Sequence, residues 1–182
     1  MHAAKTPAVI LGAHFDSTTG SASSRAPGAD DNASGSVVVL ESLRVLAEAG
    51  FAPTNTIEFH WYGGEEQGLL GSADIFSDYA SQGLPVISYL NQDMAGYSPS
   101  GTPALITDYS DAALNDYLTI IITEYTGTAP NTDQCGYGCS DHASADANGF
   151  RTFSLSLHAS ANATSCGILT NDKQLLHSRS RT

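Results

Sequence analysis

The stretch Ala8-Val9-Ile10-Leu11-Gly12-Ala13-His14-Phe15-Asp16, and the segment Ser34 to Ala49 that follows a Gly/Ser/Ala-rich loop, decide the fold. The apolar run 8–12 reads as a buried strand. From Ser34 onward, Val38, Leu40, Leu43, Val45 and Leu46 recur at helical spacing up to Gly50, a helix stop. The alternation continues along the chain. Ile57 to Tyr62 is rich in β-branched and aromatic residues and predicts a second strand, Glu66 to Ser81 a helix, and Val86 to Asn91 a third strand. Ala104 to Thr107 predicts a fourth strand, and Leu114, Leu118, Ile121 and Ile122 set a helix from Asp111 to Tyr125. Strands alternating with helices imply an α/β class: a mixed, mostly parallel central sheet flanked by helices, with ligands expected beyond the carboxyl ends of the strands.

The 182 residues suffice for one well-filled core and are too few for two ordinary domains. Seven basic residues against 19 acidic ones leave a formal charge of -12, the opposite of what nucleic acid or an anionic lipid surface demands. No nucleic-acid partner is therefore expected, and no apolar run is long enough to predict a membrane span. Met1 to Pro7 holds no apolar run of signal-peptide length. The charge is unevenly placed: Val45 to Phe150 carries 14 acidic residues and no Lys or Arg, whereas Arg151, Lys173, Arg179 and Arg181 face only Asp172 beyond it.

Three strands end in acidic or imidazole groups: His14 and Asp16 after the first, Glu65 and Glu66 after the second, Asp93 after the third. Asp30-Asp31-Asn32-Ala33-Ser34 opens the first helix, with Ser34 near the N-cap. Adjacent carboxylates repel unless a cation or hydrogen bonds offset the cost. Several of them around a His, with almost no base to pair them, point to a bound metal, and imidazole with carboxylate suits zinc. Each group alone has a plainer alternative: His14 as a core or cap histidine, Asp31 and Glu65-Glu66 as helix-opening acids. His60 lies inside a strand and reads as structural. No Gly-x-Ser-x-Gly elbow, His-Glu-x-x-His helix or Gly-Lys phosphate loop is present.

The segments 11–17, 26–35, Gly64-Glu65-Glu66-Gln67-Gly68-Leu69-Leu70-Gly71-Ser72, Asn91-Gln92-Asp93-Met94 and Cys135-Gly136-Tyr137-Gly138-Cys139-Ser140-Asp141-His142 resemble, in this order, the motifs of the secreted di-zinc aminopeptidases, metallopeptidase family twenty-eight. The resemblance implies a zinc-exopeptidase-like three-layer sandwich and a hydrolase, a metalloprotease, that removes N-terminal, apolar residues from peptides with a free N-terminus. It implies two zinc ions. His14 and Asp93 would bind one and Glu66 the other, with Asp31 bridging both. Glu65 would be the general base toward a zinc-activated water, Asp16 would orient the His14 imidazole, Tyr137 would polarise the scissile carbonyl, and Met94 would wall the side-chain pocket. Cys135 and Cys139 would form a small disulfide, the alternative being thiolate zinc binding with His142. A secreted location follows from the same resemblance.

The resemblance also implies further strands before His14, a last His ligand near position 168 and a long closing helix, so the sandwich is expected to be incomplete at both ends. Position 168 is Ile168, and the histidines beyond Arg151, His158 and His177, lack the family's surroundings. The expected division is a partial zinc aminopeptidase domain over residues 1–150 and a divergent tail over 151–182, out of register through a frameshift or a misplaced exon boundary. The alternative function is a crippled member of the fold that keeps one zinc site at His14, Asp31 and Asp93, at most a cation-binding module. Asn32-Ala33-Ser34 and Asn162-Ala163-Thr164 match glycosylation sequons, and the first falls within the expected metal loop.

Overall fold

The structure is a computed structural model and describes residues 6–19, 21, 23–98 and 100–157. It contains strands β1 (Ala8–His14), β2 (Thr56–Tyr62), β3 (Val86–Gln92), β4 (Ala104–Ile106), β5 (Asn131–Asp133) and β6 (Thr152–Ser156). The helices are α1 (Gly35–Glu48), α2 (Leu70–Ser81), α3 (Ala112–Thr126) and α4 (His142–Ala147), and a wide helical turn, Ala29–Ser34, leads into α1. One sheet takes all six strands in the order β2-β1-β3-β6-β4-β5. The pairs β1 with β2, β1 with β3, β3 with β6 and β4 with β5 are parallel, and β4 runs antiparallel to β6. The α/β class with a mixed, mostly parallel sheet is therefore observed.

Side chains alternate between the two faces of a strand, so neighbouring residues enter different cores. Tyr89 joins Ile10, Tyr62, Phe76 and Ala145 beneath α2 and α4, while Leu90 packs with Leu105, Leu118 and Phe153 beneath α3. Ile10, Phe76 and Tyr89 are fully buried; burying a side chain of this size stabilises by roughly 1.5–3 kcal/mol. Asp111 caps α3 by accepting the Leu114 N–H at 2.8 Å, and Gly127, at φ 71°, closes it in the left-handed conformation that a glycine takes without strain.

One boundary differs from expectation. The helix expected from Glu66 starts at Leu70, because Gly64 and Glu65 accept the N–H groups of residues 67–70 in tight turns before α2 begins. The division expected at residue 150 falls just before β6, which lies between β3 and β4, so residues 152–156 share one sheet with the strands before them. His158, Asn162, Ile168 and His177 lie outside the described residues. Among the described residues no helix is long and apolar enough to cross a membrane.

Candidate metal centre

Strands β1, β2, β3 and β6 are mutually parallel, so their carboxyl ends meet at one edge of the sheet, where the backbone turns away and leaves room for a ligand. His14 closes β1 and is 1% exposed. Its Nε2 lies 3.2 Å from Asp31 Oδ1, 3.5 Å from Asp93 Oδ1 and 3.9 Å from Glu65 Oε2. One ligand atom each from His14, Asp31 and Asp93 falls within 4.8 Å of the other two.

Two straps fix this convergence. Asp16 accepts the backbone N–H groups of Glu65 and Glu66 on its two carboxylate oxygens, both at 3.2 Å, and so ties the end of β1 to the turn after β2. The resemblance assigned Asp16 to the imidazole. Here His14 Nδ1 meets the Asp16 backbone carbonyl at 3.1 Å and its carboxylate at 3.6 Å. The second strap joins the metal loop to the end of β3. Asn32 Oδ1 accepts from Gly35 N–H at 3.0 Å and Met94 N–H at 3.2 Å, and its Nδ2 donates to the Gln92 carbonyl at 2.9 Å. Asp30 Oδ1 accepts the Gly96 N–H, and Ser34 Oγ accepts that of Ala95, both at 2.8 Å. Ser34 is the N-cap residue of α1, as expected, but makes no side-chain cap; its hydroxyl donates to the Asp30 carbonyl instead. Asn32, 1% exposed and held by three hydrogen bonds through its side-chain amide, is not available to a glycan. Its strapping role rests on contacts about sixty residues away and left no local signal.

The electrostatics call for a cation. Burial disfavours the His14 imidazolium, yet Asp31, Asp93 and Glu65 outweigh it and push its pKa up to about 12. Glu65 is pushed up to about 9, by burial first and then by Asp93, Asp141 and Asp31, with His14 opposing. Glu66 rises to about 7, from burial and then Asp31. His14 Nε2 and Asp93 Oδ1 are buried without a hydrogen-bond partner of good geometry, which a native interior rarely tolerates unless something else occupies the gap. An imidazole and two carboxylates, two of their atoms orphaned, fit zinc.

Glu66 and Met94 line the same cleft, with Asp31, Glu65 and Asp93. Glu66 stands outside the group of three. Cys135 and Cys139 form a disulfide. Cys139 contributes to the cleft wall, while Tyr137, between them, is half-exposed and not part of it. Asn32, Ser140 and Asp141 received no positioning role from the sequence; His142, the alternative zinc ligand beside the two thiols, is fully buried with Asp141 at the start of α4, and the disulfide takes those thiols out of metal binding.

A crystal structure of Legionella LapA is 34% identical and superposes with a TM-score of 0.84, covering 95% of this chain and 48% of that one. A zinc aminopeptidase from Bacillus subtilis, 28% identical, gives 0.66 over 83% of this chain and 36% of its own. Proteins of Arthroderma benhamiae described as "Probable leucine aminopeptidase" are 50% identical over 147 residues and 53% over 150. The chain spans 41% of the length of these curated relatives. The model of peptidase family M28 matches residues 1–179, and the chain belongs to that family.

Proposed function

We propose that this chain carries the metal centre of a zinc aminopeptidase that hydrolyses apolar N-terminal residues from peptides, with Glu65 as general base. The observation that carries it is the meeting of His14, Asp31 and Asp93 within 4.8 Å, with Glu65 Oε2 3.9 Å from His14 Nε2. Zinc held there supplies Lewis acidity toward the scissile carbonyl and a water of lowered pKa. The chain's own groups do the rest. Glu65, which lines the cleft beside His14, takes a proton from the attacking water and returns it to the departing amine. Asp16 holds Glu65 and Glu66 in place through their backbone N–H groups. Met94 and Ile106 supply apolar wall to the cleft and favour an apolar first side chain. Tyr137 polarises the carbonyl, presented by the disulfide-closed loop whose Cys139 lines the cleft. That disulfide also favours an oxidising, secreted setting.

A second function, a non-catalytic member of the fold holding one zinc at His14, Asp31 and Asp93, is favoured by the position of Glu66 outside that group. Zinc stoichiometry measured together with hydrolysis of a leucine anilide, for this chain and for Glu65→Gln, separates the two. Two zinc ions and turnover that vanishes in Glu65→Gln support the aminopeptidase. One zinc ion and no turnover support the second.

A further inference from the structure

A run of polar side chains crosses the core between the sheet and helices α2 and α4, where polar groups are costly unless paired. It begins at Glu58, whose Oε2 accepts the Tyr79 hydroxyl at 2.8 Å and meets His60 Nε2 at 3.1 Å. His60 Nδ1 lies 2.8 Å from the Tyr62 hydroxyl, and the Tyr62 and Tyr89 rings meet edge-on with centroids 6.0 Å apart. Tyr89 donates to Asn91 Oδ1 at 2.7 Å, and Asn91 Nδ2 donates to Ser140 Oγ at 2.9 Å and Ser154 Oγ at 3.2 Å. Tyr89, Asn91, Ser140 and Ser154 are each at most 2% exposed. The run is built into the sheet. Gly12 pairs with both His60 and Asn91, and a Cβ there would stand 2.9 Å from Tyr89 Cε2 and 3.0 Å from Tyr62 Cε2, so the two rings occupy the space that glycine leaves.

The direction of these bonds matters at the far end. A side-chain amide has a donor end and an acceptor end, and the Tyr89 O–H fixes the acceptor end of Asn91 on its own side. Both Asn91 amide hydrogens then point to hydroxyl oxygens, which leaves the Ser140 hydrogen free for another acceptor. That acceptor is Asp93, which lines the same cleft as Ser140; against burial, hydrogen bonds from His14 and then Ser140 favour its charged form. We propose that Tyr89 and Asn91 are positioning residues for the metal centre: Tyr89 orients the Asn91 amide so that Ser140 turns its hydrogen toward Asp93. Without the Tyr89 hydroxyl the amide can reverse, and its oxygen then draws the Ser140 hydrogen away from Asp93. The inference rests on Asp93 being a metal ligand.

Zinc affinity of the 182-residue chain, measured by competition with a chromophoric chelator, tests it for the parent, Tyr89→Phe, Ser140→Ala, the double variant and Phe76→Leu. Phe76 packs against Tyr89 with ring centroids 4.9 Å apart and carries no polar group, so its variant reports loosened packing alone. Removing a partner of a metal ligand commonly costs 10–100-fold in affinity. Tyr89→Phe is expected to weaken zinc binding about tenfold, with the double variant no weaker than Ser140→Ala and Phe76→Leu lowering Tm without weakening zinc. An unchanged affinity in Tyr89→Phe, additive losses in the double variant, or an equal loss in Phe76→Leu overturns the relay. A parent chain that binds no zinc overturns the metal centre itself, and the relay with it.

Discussion

Oδ1 of Asp16 accepts the backbone N–H of Glu65 at 3.2 Å, so the residue two places after the imidazole holds the turn that carries Glu65 rather than the imidazole alone. Strand β1 and the residues just after it thereby deliver both a candidate ligand, His14, and the tether that sets Glu65, the proposed base, beside it. The second oxygen of Asp16 does the same for Glu66.

Replacing Asp16 by Asn keeps the shape but turns one acceptor into an NH2 group that faces a backbone N–H. One of the two ties is then lost and its partner left unsatisfied. Leucine anilide hydrolysis is expected to fall about 10–100-fold. Zinc binding should suffer less than in His14→Ala, because the three converging ligands remain. Steady-state rates and a zinc titration on the same preparations check this.

Asn32 is the hub of the strap between the metal loop and the end of β3. Asn32→Ala strands two backbone N–H groups, of Gly35 and Met94, and the Gln92 carbonyl in a buried place. Each unsatisfied group costs about 1–3 kcal/mol, so urea unfolding should show a loss of at least about 3 kcal/mol. Zinc binding should weaken in the same variant, since Asp31 and Asp93 are no longer held face to face.

Gly12→Ala tests the space shared by Tyr62 and Tyr89. The added methyl would lie 2.9 and 3.0 Å from ring carbons on both sides, and overpacking of this kind costs about 1–3 kcal/mol. Combining it with Tyr89→Leu, which removes one ring, should recover part of the urea midpoint that Gly12→Ala loses.

Much of this fold was legible because the elements around His14 bury apolar side chains: β1, β2, β3, α1 and α3 all follow apolar runs or helical spacing. Strand β6 went unread although Phe153 and Leu155 alternate with Thr152, Ser154 and Ser156. What the alternation hides is that the polar positions are buried as well, with Ser154 satisfied by Asn91 rather than facing water. Helix α4 escaped likewise, since its buried residues are His142, Ala143, Ser144 and Ala145. The candidate ligands His14, Asp31 and Asp93 were legible through the ordered motifs that resemble the family, their places at strand and loop ends leaving a plainer reading open for each alone. The tethers that aim them, Asp16 to the Glu65 turn and Asn32 to Met94, join residues about 50 and 60 apart in sequence, and a one-dimensional pattern does not carry such contacts.

Asp141 gives the pH dependence. Its carboxyl is completely buried. Burial, offset only in part by Ser72 and His14, raises its pKa from 3.8 to about 7. A carboxyl whose pKa is higher folded than unfolded binds its proton more tightly in the folded state. The stabilisation is then complete below about pH 4 and is lost as pH rises through about 7. Asp141→Asn keeps the neutral shape and removes this titration. In urea unfolding with chelator present, the stability of the variant relative to the parent should therefore climb between pH 4 and pH 7 and level off above. The climb should total about 4 kcal/mol, from roughly three pKa units at 1.36 kcal/mol each. A constant difference across that range would show that Asp141 is already ionised and compensated in the folded chain.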